Sequence, residues 1–232
     1  IVDQVRAAAR ALRNTCLGYL MTLEEGSVTA LALKQLKAAD NMTDALAALA
    51  LLANQALPAR DEALAFFEDR WREYPLVMDK WLRVQAVSRC EDTVARVRDL
   101  IRHRCYQHDN PNKIHALIGA LAHTNPLRFH ERDGSGYQLV AEQLLATDAK
   151  NPQVAARLAS AFNLWRHYEP GRREHMHKVL QNISGVFSVS STLLQPLQIL
   201  WVDHPACGGL VKIISSSFII QLAELPNKFH SL

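Results

Sequence analysis

Ten histidines and four cysteines are the side chains in this sequence best suited to chemistry. A hydrolytic zinc site needs two imidazoles one helical turn apart and a carboxylate to activate water, as in His-Glu-x-x-His. That motif is absent: His130-Glu131 is followed by Arg132, Asp133 and Gly134, which supply no second imidazole and mark a turn. His103 with His108, or His175 with His177, could ligate a metal, but no third ligand follows at a fitting spacing, so surface or loop histidine is the simpler reading. Ser135, between Gly134 and Gly136, has the sequence look of a nucleophile elbow, yet no strand precedes it and a structural loop is expected. Arg96, Arg98, Arg102 and Arg104 could meet nucleic acid. Acidic residues are interspersed nearby and no aromatics interleave, so a solvated helix face is expected instead. Cys16, Cys90, Cys105 and Cys207 lie far apart with no Cys-x-x-Cys pair, which reads as free thiols in a reducing compartment. No catalytic residue and no metal ligand is assigned to this chain.

Gln153 and Arg157 are a different kind of candidate. Asn151-Pro152 reads as a helix start, with a capping side chain and then a proline whose missing N–H costs nothing at the first helical position. Gln153 then lies in the first turn and Arg157 four residues on, sharing its face. A helix N-terminus with a guanidinium beside it can hold a carboxylate or a peptide carbonyl. The residues alone equally allow Arg157 to pair with an acidic neighbour, leaving Gln153 as part of the helix start only.

The elements that must position this pair are helices. Apolar residues recur at helical spacing from Val2 to Met21, then through Ala30–Leu36, Ala45–Ala56, the stretch opened by Pro58, the stretch opened by Pro75, and Glu91 to about Arg104. Asn110-Pro111 starts another helix, and Asp133-Gly134-Ser135-Gly136 must be a tight loop before the pattern resumes at Tyr137. Gly26-Ser27 and Asn41–Thr43 mark breaks, with Asn41 or Thr43 as cap. Phe129 is expected to be a buried anchor beside an ordered loop. Short helices separated by short breaks stack as antiparallel pairs, so the expected fold is all-α, a superhelical, HEAT-like α-solenoid.

Composition sets broad limits. At 232 residues, 49% hydrophobic and 21% charged, the chain can bury a sizeable core. A net charge of +3 gives no concentrated basic patch, so neither nucleic acid nor membrane is an expected partner. No apolar run is long enough to span a bilayer and no signal peptide is visible. With free thiols, this points to an intracellular, cytoplasmic protein. The start at Ile1, without methionine and inside an amphipathic pattern, reads as a piece of a longer polypeptide.

Several motifs carry a family resemblance. They are Ala11-Leu12-Arg13-Asn14-Thr15-Cys16-Leu17, Asn41-Met42-Thr43-Asp44, Leu76-Val77-Met78-Asp79-Lys80-Trp81, N-P-N-K-I-x-x-L-I-G from Asn110, F-H-x-x-D-G-S-G-Y from Phe129, N-P-Q-V-A-x-R-L from Asn151, and Arg166-His167-Tyr168. In this order they resemble the C-terminal helical domain of the zinc aminopeptidase N family. The resemblance fades from about Val186, which divides the chain into a helical domain over 1–185 and a divergent tail over 186–232. It implies that zinc and the catalytic residues belong to an upstream domain of the same polypeptide, since the Gly-Ala-Met-Glu-Asn substrate motif is also absent here. It implies that this domain closes over the active site, admits short peptides, and faces their distal end with Gln153 and Arg157. The alternative from another class is a free-standing helical scaffold whose concave face binds a protein.

Overall fold

The structure is a computed structural model in which residues 4–185, 189–194 and 197 are described. Prolines open six helices, at Pro58, Pro75, Pro111, Pro126, Pro152 and Pro170, where a missing N–H leaves nothing unsatisfied. In chain order the helices are α1 (Gln4–Leu20), α2 (Gly26–Ala38), α3 (Met42–Leu52), α4 (Pro58–Trp71), α5 (Pro75–Ala86) and α6 (Thr93–Leu100). Then come α7 (Pro111–Ile114), a π-helical turn at His115–Gly119, α8 (Ala120–Thr124), α9 (Pro126–Phe129), α10 (Ser135–Asp148), α11 (Pro152–Ala159) and α12 (Pro170–Ser184). No strand occurs among the described residues, and successive helices pack on their neighbours around one continuous apolar core. The expected all-α stack is therefore found. No described helix is long and apolar enough to cross a membrane.

Helix ends differ from the sequence expectation where side chains reach across the stack. The helix expected to run to Ala56 stops at Leu52, because the Asn54 amide donates to the Ala50 carbonyl at 2.8 Å and accepts from the Arg89 N–H at 2.8 Å. The helix expected to reach Arg104 ends at Leu100 and continues as turns, with the His103 N–H on Leu100 O and the Tyr106 N–H on His103 O. Asn41, not Thr43, caps α3, accepting from the Asp44 N–H at 3.0 Å. Most of residues 186–232 lies outside the described residues. Within that stretch Ser190 bonds the Asp148 carboxylate through its N–H (2.8 Å) and its hydroxyl (2.5 Å), and Leu193 and Leu197 are buried.

Large apolar groups fill the seams: Phe67 and Trp81 between α4 and α5, and Phe129, Tyr137 and Phe162 farther along. Each such burial is worth roughly 1.5–3 kcal/mol. Buried polar groups then fix which helix meets which. Asp44 takes hydrogen bonds from Arg13, Asn14 (3.0 Å) and Asn41 (2.8 Å), while Gln35 bonds Asn14 at 2.8 Å, so α1, α2 and α3 share one network. Burial pushes the Asp44 carboxyl up, but those hydrogen bonds outweigh it and hold the group below its ordinary range. Arg60 grips Asp92 with two bonds of 2.8 and 2.6 Å, joining α4 to the start of α6. Lys113 of α7 is buried, 2.6 Å from Asp79 of α5, and donates to the Pro75 carbonyl at 2.9 Å.

Removing one member of a buried pair strands the other. Asp79→Ala should lower unfolding free energy by about 3–5 kcal/mol in a urea titration. Asp79→Leu combined with Lys113→Met should recover most of that loss, because it removes both charges; a double variant no better than Asp79→Ala would show that the ion pair does not fix this seam.

Candidate functional site

The face carrying Gln153 and Arg157 is built by α11. The Asn151 side chain accepts the Val154 N–H at 3.2 Å, and Pro152 is the first helical residue. Ala155, Leu158 and Ala159 turn into the core, which leaves Gln153 and Arg157 exposed together on the other side. Among the described residues no carboxylate pairs with Arg157. His123 of α8 lies near the Arg157 backbone, and its imidazole is lowered by partial enclosure and by His115, the Arg157 backbone offsetting part of this. The His115 ring lies across Gly119, 3.5 Å from where a side chain there would begin, and the π-helical turn spans just these residues. Sequence reading singled out Gln153 and Arg157 and did not single out His115 or His123. The signal for His115 was weak: one imidazole four residues before a glycine.

The Phe129–Tyr137 motif forms a lock rather than a reaction centre. Phe129 is fully buried, edge-on to Tyr137 (centroids 5.1 Å apart) and Phe162 (5.6 Å). His130 sits between two hydroxyls, with Nδ1 2.9 Å from Tyr137 Oη and Nε2 2.7 Å from Tyr168 Oη. A neutral imidazole suits both, since it has one N–H to donate and one nitrogen to accept. Arg172 of α12 donates to the His130 carbonyl at 2.5 Å. In the loop, Asp133 accepts the Ser135 N–H at 2.9 Å, and Glu131 holds Arg128 at 2.6 Å. Gly134 has φ of 73°, and a side chain on Gly136 would start 2.5 Å from the Phe129 carbonyl oxygen, so both positions require glycine. Ser135 merely opens α10, its hydroxyl 3.4 Å from Glu131.

The remaining titratable clusters are also structural. Cys105 Sγ lies 3.0 Å from His103 Nδ1, whose Nε2 is 3.4 Å from Glu68, and burial pushes the thiol up. Arg96, Arg98 and Arg104 pair with Asp61 (2.9 Å), Glu142 (2.7 Å) and Glu68 (2.8 Å). Among the described residues no three His, Cys, Asp or Glu side chains converge as metal ligands, so these residues do not fit a zinc ion and no chemical step on this chain is drawn through one.

Short helices stacked on their neighbours around one continuous apolar core define a helical-repeat domain. The family model described as "Domain of unknown function (DUF3458_C) ARM repeats" matches residues 1–195. The chain belongs to that family. It is 40% identical over 196 residues to aminopeptidase N of Escherichia coli, covering 84% of this chain and 22% of that protein. It is 36% identical over 193 residues to aminopeptidase N of Caulobacter vibrioides, covering 83% and 22%. A crystal structure of Legionella pneumophila aminopeptidase A in complex with aspartic acid superposes with a TM-score of 0.79 at 31% identity, over 84% of this chain and 23% of that one. The resemblance to the aminopeptidase N helical domain holds, and the chain spans about a fifth of the length of these relatives.

His130 makes the lock sensitive to acid. Burial, with the Arg172 guanidinium adding to it, holds this imidazole down to about 4. An unfolded histidine titrates near 6.5, so below that pH the unfolded chain gains a proton that the native state refuses until about 4. Stability is therefore full above about 6.5 and falls through that window. Because the ring is half-buried, the loss should be about 1–2 kcal/mol, discounted from the full shift for solvent screening. His130→Gln should be less stable at pH 7 but show a flatter decline between pH 6.5 and 4.5 in urea titrations. An unchanged slope would remove His130 as the source.

Proposed function

We propose that this chain is the C-terminal, chamber-forming part of a zinc aminopeptidase that removes N-terminal amino acids from peptides. On this reading an upstream domain of the same polypeptide holds the zinc, which when bound activates the water that cleaves the peptide. The residues here do not cleave. They wall off the active site, restrict access to short peptides, and hold the distal end of the bound peptide. The observation that carries the reading is the exposed pair Gln153 and Arg157 on a proline-initiated helix, with no carboxylate on Arg157 among the described residues. The names of the relatives and the free thiols at Cys16, Cys90 and Cys105 support the same assignment, in an intracellular, cytoplasmic setting. Arg157 would bind a carboxylate through its planar fork, and Gln153 would offer an amide to the last peptide carbonyl.

In the full-length enzyme, Arg157→Ala should weaken binding of short peptides more than of a one-residue amide, by roughly 1.5–3 kcal/mol for a lost charged hydrogen bond. Arg157→Lys should recover only part, because an ammonium lacks the fork. The thermal midpoint should hardly move, since an exposed arginine does not pack the core. Domain unfolding with unchanged peptide affinity per folded molecule would make Arg157 a structural residue.

A further inference from the structure

Three titratable side chains line up at the turn that follows α6. Cys105 Sγ lies 3.0 Å from His103 Nδ1, and the Cys105 backbone N–H donates to the same nitrogen at 3.3 Å. A ring nitrogen that accepts a backbone N–H carries no proton of its own, so in the neutral imidazole the proton sits on Nε2. Nε2 faces the Glu68 carboxylate of α4 at 3.4 Å, which favours a proton there. Arg104 holds the same carboxylate oxygen at 2.8 Å, and Trp81 of α5 lies against the imidazole, ring centroids 5.2 Å apart. The ring is thus fixed in one orientation and one tautomer, with its lone pair turned to Cys105. These contacts tie α4 and α5 to the turn, which is their part in the fold. They are also the arrangement that activates a thiol: a nucleophile, a base, and a third group that orients the base. Among the described residues no imidazole hydrogen-bonds to the thiols of Cys16 or Cys90.

We propose that Cys105 is a site of reversible S-thiolation, exchanging with low-molecular-weight disulfides and using His103 as its base. The Cys105 S–H proton passes to His103 Nδ1 as the sulfur attacks one sulfur of a disulfide R–S–S–R. The new Cys105 S–S–R bond forms and the old S–S bond breaks. The leaving thiolate takes the proton from the imidazolium and departs as R–SH. Cys105 is oxidised, the departing half is reduced, and nothing else is consumed. Excess R–SH runs the step backwards, so the modification follows the thiol–disulfide ratio around the protein. Burial pushes the Cys105 thiol up, with Lys113 opposing. At rest the sulfur is therefore protonated, and its reactivity depends on His103 and not on a standing thiolate. The thiol is half-buried, which leaves a path for a small reagent. The adduct sits on the turn leading into α7, whose Lys113 is held by Asp79 of α5, so thiolation bears on that seam. The proposal is independent of the roles given to Gln153 and Arg157.

The test is exchange of the full-length polypeptide with oxidised glutathione at about pH 6, where an ordinary thiol with a pKa near 8.5 is almost wholly protonated. Peptide mass spectrometry reads each cysteine separately, and the reference is the same thiol in the urea-unfolded chain. Native Cys105 should react at least about threefold faster than unfolded Cys105, because only the folded chain places a base on the sulfur. His103→Gln should slow native Cys105 at least about tenfold and leave Cys16 unchanged, with Glu68→Gln falling between wild type and His103→Gln. Should His103→Gln fail to fold, the native-to-unfolded ratio and Glu68→Gln still decide the matter. A histidine that only packs the turn predicts the opposite sign: native Cys105 slower than unfolded, and faster labelling once His103→Gln loosens the turn. Either result would overturn the proposal, as would an adduct at Cys105 that dithiothreitol does not remove. Peptide affinity is not read in any arm, so this result and that for Arg157 remain separate.

Discussion

The neutral imidazole of His130 is the contact on which the second half of the stack depends. Its two nitrogens engage hydroxyls from Tyr137 on α10 and Tyr168 just before α12, and its carbonyl takes Arg172 of α12. α11 runs between α10 and that second tyrosine, so the helix bearing Gln153 and Arg157 is bracketed by one residue's hydrogen bonds. An imidazolium would have two donors and no acceptor, and one of the two tyrosine hydroxyls would then have to turn its proton away. Burial and Arg172 both oppose that charge.

The same logic explains the other motifs. Arg13 and Asn14 belong with Asp44, Asp79 with Lys113, and Asn110 and Asn151 with their own helix starts. These are the residue types a catalytic centre would use, yet the charged ones are spent joining helices distant in sequence and the two asparagines on starting their own helices. A buried polar side chain costs stability unless it is paired, and a paired one accepts few other arrangements. Apolar seams between helices tolerate sliding; a guanidinium on a carboxylate does not. The polar locks therefore set the register of the stack while the leucines, alanines and aromatics provide most of its stability.

Helix content and most helix starts were legible because proline and asparagine act locally. The same Asn-Pro signal at Asn125-Pro126 went unused, although Asn125 caps α9 and also reaches the Ala86 and Ser88 carbonyls at 3.0 and 2.8 Å. The helix ends at Leu52 and Leu100 were not legible, since they are set by turns and by Asn54 reaching a loop that lies 35 residues away in sequence. Phe129 was read correctly as a buried anchor, but the turn was read two residues too long, because α10 already begins at Ser135 and includes Gly136. Why Gly136 must be glycine was not readable, because the obstacle is a backbone carbonyl brought close by folding. For the candidate site, the shared face of Gln153 and Arg157 follows from spacing alone, whereas His123 comes near the Arg157 backbone, and His115 near His123, only through the fold.

A solenoid suits a wall around a reaction chamber for a mechanical reason. Each helix pair touches only its neighbours, so stability is close to a sum of local seams. Side chains on the open face take no part in those seams. Gln153 and Arg157 can thus be replaced with little cost to the fold, while Ala155, Leu158 and Ala159 one face away cannot. The exposed polar pair and the packing residues are thus different residues of the same eight-residue helix.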